Sequence, residues 1–533
     1  MKNSKLILLF GGVLAMTACS GGSGTGSSSG GSTGQGSGGS SSSGGSTGSG
    51  GHATGGSDGA VGTGGRASSG GSSGSGGGVG SGGVSASGGA GSGGSGGEMT
   101  GAGGSGSGGK GSGGAGGNLG GGGQTGSGNA GGGRASGGSA GGGSGGNAGM
   151  SGVAGSSGTQ HWVGTWTASP YYDSGNPPPT SLSNTVIRQI AHVSLGGGQL
   201  RVQFSNLQGN GSLEIKAAHI ALCKATPAVD STIDTATDKA LAFAGMASVT
   251  IAQGKEVWSD PIAFDLPAQG NLTITTAFGS VPSQVTSHSG SRTTSYIKSG
   301  TDVTPASLTG TGVTTVEHWY AIAGIDVMAD AAARGVVAIG DSITDGRGTD
   351  TNHNNRWTDV LAARLQMNDA TKDVSMMNQG IGATNLVGTG TAAQARFARD
   401  VLGQSGVKYA IVLDGVNDIG GGSGTLDSMK SAYMSLITMA HAKNVLIYGA
   451  TITPFGGDAS YAAHDSLRVQ VNQFIRSGVF DGVIDFDMAL TDGGNPAKLQ
   501  EMYATWSMED GLHPGPAGYQ KMGQTPDLTL FTK

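Results

Sequence analysis

Gly335-Val-Val-Ala-Ile-Gly-Asp-Ser-Ile-Thr-Asp-Gly346 is the stretch on which the reading of this 533-residue chain turns. An unbroken run of small and β-branched apolar residues suits a strand buried on both faces. The run stops at Gly340-Asp-Ser342, where a strand should give way to a helix, with Gly346 just beyond. A sharp turn of that kind lifts the Ser342 hydroxyl clear of its sheet, as a nucleophile requires. The pattern is not the Gly-x-Ser-x-Gly elbow, because Ile343 and Thr344 follow the serine. A tripeptide recurs by chance, so its weight depends on its company.

That company begins 168 residues later, at Asp510-Gly-Leu-His513. An acid and a histidine three residues apart can both point one way from a single turn. Asp510 can then hold the imidazole of His513 in one tautomer and stabilise the imidazolium. His513 would take the Ser342 proton and return it to a leaving group. Alone, the pair reads equally as a turn cap beside a surface histidine. Between these two motifs, the apolar run Tyr409-Ala-Ile-Val-Leu413 leads into Gly415-Val-Asn-Asp418. Another strand thus ends at a turn, and the Asn417 side-chain amide can donate hydrogen bonds there. Acyl transfer develops negative charge on one oxygen, which fixed N–H donors stabilise. Asn417 is one such candidate donor, and the backbone N–H of Ser342 is a second. A third glycine-rich turn, Asn378-Gln-Gly-Ile-Gly-Ala-Thr384, follows the apolar segment Val374–Met377.

Taken in order, these four blocks resemble the SGNH (GDSL) hydrolase superfamily, over about residues 335–525. The resemblance implies a Ser342-His513-Asp510 triad and an oxyanion hole from Ser342, Gly382 and Asn417. It implies no cofactor and no metal. One departure stands at the second block, where relatives end in a glycine and this chain has Ala383. Gly382 is the donor assigned here, with Ala383 as the rival.

Composition divides the chain. Of its 112 glycines, most lie before residue 160. Residues 20–160 hold no aromatic residue, no proline and five charges, too little to offset the entropy of ordering. They read as a disordered Gly/Ser-rich linker, with a reach of about 65 Å as a random coil. Residues 1–19 read as a signal: Lys2 and Lys5, a short apolar core, then Leu14-Ala-Met-Thr-Ala-Cys19. Small residues before a cysteine resemble a bacterial lipoprotein signal with Cys19 as the lipidated residue. Met16 is atypical for one, and an ordinary secretory signal is the alternative. The expected location is the cell surface, as an outer-membrane lipoprotein, or outside the cell. With Cys19 lipidated, Cys223 is the one remaining thiol and no intrachain disulfide can form; it reads as a buried strand residue. A net charge of −6 without a basic run argues against nucleic acid, and the ten histidines show no metal-ligand spacing.

Two folded domains are expected, 161–330 and 331–533. In the first, Leu200-Arg-Val-Gln-Phe204 and Leu272-Thr-Ile-Thr-Thr276 alternate as half-buried strands do. Leu213–Ile215, Ile262–Phe264 and Tyr320–Val327 add further strands. The expected architecture is an all-β, jelly-roll-like sandwich. Two-domain relatives open with a segment similar to His161-Trp-Val-Gly-Thr-Trp-Thr-Ala-Ser169. Its role is open between structural support and carbohydrate binding, with Trp162, Trp166 and Trp258 as core or as stacking platforms. From 335 strands and helices alternate, predicting an α/β fold: a flavodoxin-like three-layer sandwich around a parallel sheet. Trp357, Val360, Leu361 and Leu365 share one helical face, as do Met429, Tyr433, Leu436 and Ile437. Arg356 and Asp359 read as fixing the first of these helices. Asp485 and Asp487 read as structural acids on one face of a late strand, and His353 and His464 as exposed, either able to line the cleft through its loop.

The function expected is that of an extracellular serine ester hydrolase. The resemblance implies carboxylic esters at large, from acetyl groups on polysaccharides to aryl esters and short lipids. Two rivals remain: a decayed carbohydrate-binding protein, and an acyltransferase using the same nucleophile.

Overall fold

The computed structural model describes residues 159–533 apart from 226–229 and 505–509. The expected signal, Cys19 and nearly all of the linker lie outside the described residues.

Two antiparallel sheets come first. Strands β1 (His161–Thr167), β2 (Thr185–His192), β3 (Gly197–Ser205) and β4 (Leu213–Leu222) alternate between them. Strands β5 (Asn271–Phe278) and β6 (Ser295–Ser299) join the second sheet, and β7 (Ile322–Ala329) lies between β1 and β3 in the first. Val163, Val202, Phe204 and Ile325 of the first sheet share one core with Ile187, Ile215, Ile274 and Ile297 of the second. Burying the apolar face of each sheet against the other is what makes this a sandwich. The expected single strand Tyr320–Val327 is in fact broken. Ala321 takes a left-handed φ of 57°, so His318–Tyr320 turns away to pair with Ser287–Ser289. This two-stranded ladder carries His288 and His318 to the second domain, where both reach the cleft region.

In that domain β8 (Arg334–Gly340), β9 (Val374–Gly380), β10 (Val407–Leu413), β11 (Leu446–Ala450) and β12 (Gly482–Ile484) are all parallel, in the order β9-β8-β10-β11-β12. This is the flavodoxin-like order, whose ligand crevice lies at the carboxyl ends of the strands. Consecutive residues Val336 to Ile339, and likewise Tyr409 to Val412, are fully buried, so both faces of the central strands are covered. The helices are α1 (Ser342–Asp345), α2 (Trp357–Gln366), α3 (Ala393–Asp400), α4 (Val416–Gly420), α5 (Leu426–His441), α6 (Asp465–Ile475), α7 (Phe486–Leu490) and α8 (Pro516–Gln524). Trp357, Leu361 and Leu365 of α2 and Met429, Tyr433, Leu436 and Ile437 of α5 all point into the core. Arg356 caps α2, with its own N–H donating to Asp359 at 3.0 Å.

One late element departs from expectation. β12 ends at Ile484, because Asp485 caps α7 by accepting from the Met488 N–H. Asp485 and Asp487 are therefore not on a strand; Arg476 bonds to both, at 2.6 and 2.8 Å. Cys223, just past β4, is half-buried.

The sandwich and the parallel sheet meet along β1 and β9. The Ser375 hydroxyl donates to the Gly164 carbonyl at 2.6 Å, and the Met376 N–H donates to Ser194 Oγ at 2.9 Å. The Gly164 N–H in turn donates to Ser405 O at 2.9 Å. Trp166 packs edge-on against Trp319, while Trp162 and Trp258 flank the Arg201 guanidinium at 4.6 and 4.3 Å. Trp166 is thus core, and the other two hold an arginine.

Candidate active site

β8 delivers the nucleophile candidate. Asp341 leaves the strand in extended geometry and its carboxylate accepts the Ile343 N–H at 2.9 Å, which starts α1 at Ser342. The serine thus stands at a helix N-terminus at the end of the central strand. Its Oγ lies 2.8 Å from His513 Nε2. His513 Nδ1 lies 2.6 Å from Asp510 Oδ2, and the other carboxylate oxygen accepts the backbone N–H groups of Leu512 and His513 at 3.0 and 2.9 Å. Residues 171 positions apart in sequence are thereby joined in one relay.

The titration of these groups fits that relay. Burial pushes the His513 imidazole below its usual pKa, against the pull of Asp510; the charges of Arg347 and Arg292 add to the burial. A neutral imidazole can accept a proton at neutral pH. Burial would raise Asp510, but the two backbone N–H donors and the imidazole outweigh it and hold the carboxylate below the ordinary range.

The donors gather on the other side of Ser342. Gly382, Ala383 and Asn417 line the same cleft. No acceptor is present for the N–H of Ser342, Gly382 or Ala383 among the described residues. The left-handed backbone falls on Ala383, at φ 60°. Alanine takes that conformation at a cost of about 1 kcal/mol. A glycine there would be free of strain, which accounts for the glycine of the resembling pattern. Asn417, on α4, donates one amide hydrogen to Thr384 O at 2.7 Å and accepts from the Tyr461 hydroxyl at 3.1 Å. Its second amide hydrogen is left for a ligand. Tyr461 was not foreseen from sequence. Its ring lies so close over Gly420 that a Cβ there would sit 1.9 Å from it.

Behind the serine, Asp341 and Asp414 end the neighbouring strands β8 and β10, both about 1 % exposed. Burial pushes Asp341 up to about 7 and Asp414 well above the carboxylate range; the charges of Asp418 and Asp345 further raise Asp341, and those of Asp341 and Asp418 further raise Asp414. Asp418 faces away from the cleft, accepting the N–H groups of Leu386 and Val387 at 2.7 and 3.0 Å.

The cleft, of about 730 Å³, has a second wall that no motif announced. Tyr171, Asp173, Ser289, Arg292 and His318 come from the sandwich. Ser289 Oγ donates to Asp173 at 2.6 Å. Burial lifts the Tyr171 hydroxyl to about 12 and lowers the His318 imidazole. The buried His288 ties the walls together, with Nδ1 3.0 Å from Ser169 O and Nε2 2.9 Å from Asp345 Oδ1, on the last residue of α1. His353 and His464 do not line this cleft.

A Ser-His-Asp relay thus stands at the carboxyl edge of a parallel α/β sheet. Residues 338–521 match the GDSL-like Lipase/Acylhydrolase family, and this part of the chain is a domain of that family. No curated protein matches the chain. Among solved structures, a GDSL-like lipase from Bacteroides thetaiotaomicron is 17 % identical with a TM-score of 0.28, covering 36 % of this chain and 85 % of its own. An alpha/beta hydrolase from the metagenome of Lake Arreo is 22 % identical with a TM-score of 0.28, covering 37 % and 94 %. A family two carbohydrate esterase from Clostridium thermocellum, solved with cellohexaose, is 13 % identical with a TM-score of 0.30, covering 68 % and 96 %.

Proposed function

We propose that the protein is a serine ester hydrolase. Ser342 attacks the ester carbonyl while His513 Nε2 takes its proton, and Asp510 holds the imidazole and its developing charge. The oxyanion is held by the Ser342 N–H, the N–H of Gly382 or Ala383, and the free amide hydrogen of Asn417. Collapse expels the alcohol, which takes the proton from His513; water then releases the acid from Ser342 by the same steps. The observation that carries this reading is the continuous relay at 2.8 and 2.6 Å from Ser342 through His513 to Asp510. It weighs against a decayed site, which has no reason to keep three polar groups in register.

Acylated glycans are the substrates we favour among carboxylic esters, because the cleft is lined largely by hydroxyl, carboxylate, imidazole and guanidinium groups. The likeness to a carbohydrate esterase is compatible with that choice but does not carry it. The proposed setting is the cell surface, through Cys19 and the glycine-rich tether, and rests on sequence alone.

The test is hydrolysis of a chain-length series of p-nitrophenyl esters by the full chain and by Ser342→Ala. The reading expects activity that falls about 10⁴-fold or more in the variant. Equal rates for the two proteins would mean that Ser342 is not the nucleophile.

A further inference from the structure

Two guanidinium groups in the cleft have no part in the proposed chemistry. Arg292 stands in the turn between the two sandwich strands Ser287–Ser289 and β6, and Arg347 follows α1. Both line the cleft beside Ser342 and His513, and both are near enough to act on the charge of His513. Several other arginines of the catalytic domain are ion-paired: Arg396 and Arg399 bond to Asp400, Arg468 to Asp465 and Asp487, Arg476 to Asp485 and Asp487. Arg334, away from the cleft, instead donates to Phe531 O at 3.2 Å and leaves its Nε unpartnered. Neither Arg292 nor Arg347 has an ion pair or a side-chain acceptor among the described residues, and Arg292 Nε is buried without a partner. The buried Arg292 Nε costs free energy unless something else satisfies it, while Arg347 is exposed and free to meet a ligand.

The backbone is arranged around Arg292. It sits at a left-handed φ of 52°, unusual for a residue with a side chain, and Asn352 holds it there by donating its N–H to Arg292 O at 2.9 Å. Gly290 leaves room for the guanidinium, since a Cβ there would lie 3.2 Å from Arg292 Nη2. The acids of the cleft are engaged elsewhere. Asp173 accepts from Ser289 and Asn176, Asp345 pairs with His288, and Asp458 accepts from Ser460. Glu317, exposed at the rim, pairs with neither arginine.

We infer that Arg292 and Arg347 form a subsite for a carboxylate carried by the ester substrate. A planar guanidinium fork matches a carboxylate in two parallel bonds, and one fork from each domain brackets the reacting carbonyl. The inference rests on the serine-esterase reading and narrows it to anionic esters. The carboxylate can belong to the alcohol, as in an acetylated uronic acid, or to the acyl group, as in the half-ester of a dicarboxylic acid.

Two matched pairs of probes separate these sources on the full chain. One pair is acetylated methyl glucuronide against acetylated methyl glucoside; the other is mono-p-nitrophenyl glutarate against p-nitrophenyl butyrate. One charged probe should exceed its neutral partner in kcat/KM by roughly ten- to a hundred-fold. That ratio should shrink with added salt and collapse toward one in Arg292→Gln and Arg347→Gln, whatever the absolute rates do. Arg292→Lys should keep part of it, which separates lost charge from lost folding. Ratios near one in both pairs, or a ratio that survives both glutamine variants, would overturn the subsite while leaving the esterase intact. Absence of Ser342-dependent hydrolysis of every probe would instead overturn the esterase reading and the subsite with it.

Discussion

The two walls of the cleft hold their side chains by different means. On the catalytic wall, the nucleophile and the oxyanion donors follow parallel strands, while Asp510 and His513 lie in the loop before α8. Ser342 follows β8, Gly382 and Ala383 follow β9, and Asn417 follows β10. The sandwich wall is built from loops and one short two-stranded ladder, and its side chains reach the cleft only because β1 docks against β9. A sheet-edge site fixes chemistry, while a loop wall is free to vary in what it recognises. Under the proposed function, the reacting groups lie in the second domain and recognition is shared, Arg292 coming from the sandwich and Arg347 from beyond α1, with the His288–Asp345 contact joining the two walls.

That division can be broken or sharpened. On the catalytic wall, Asn417→Ala removes an oxyanion donor and should lower kcat by about a hundred- to a thousand-fold with little change in KM. Tyr461→Phe, which only frees the Asn417 amide, should cost roughly ten-fold, again in kcat. A rise in KM instead would place Tyr461 against the substrate and blur the distinction between the walls. At the seam, His288→Ala leaves the buried Asp345 carboxylate without its imidazole and should cost about 2 kcal/mol in urea unfolding. An unchanged unfolding curve would mean that the walls are held together by β1 and β9 alone.

The smallest effect concerns the carboxyl groups behind Ser342. The folded state raises the affinity of Asp414 for its proton. Its contribution to stability is therefore full below the unfolded carboxylate pKa of about 3.9 and is lost as pH rises toward the folded value. Asp414→Asn keeps the neutral shape without that loss. Its Tm should exceed the parent's by a few degrees at pH 8 and by less at pH 5. A gain that is the same at both values would contradict the buried-proton account.

What could be read from sequence follows the same division. Ser342, Asn417, Asp510 and His513 were legible because each lies in a short string whose spacing is itself the chemistry. Arg292, His318, Tyr171 and Tyr461 were not, since they converge from distant loops and carry no local pattern. Ala383 was legible as a departure, but its left-handed φ was not. The strand expected through Asp485 failed because Val483-Ile-Asp-Phe486 alternates like a strand. The capping role of Asp485, three residues before Met488, is the signal that ends it. Tyr320–Val327 holds as strand on both sides of Ala321, whose left-handed φ splits it in a way that an alanine does not advertise.

The central claim is that one hydroxyl, Ser342, is made nucleophilic by His513. An alkyl fluorophosphonate forms a P–O bond to an activated serine with loss of fluoride, and peptide mass spectrometry of the full chain then locates the adduct. The account predicts a single adduct on Ser342 that is lost in His513→Ala. An adduct on another residue, or one on Ser342 that forms equally fast without His513, would contradict it.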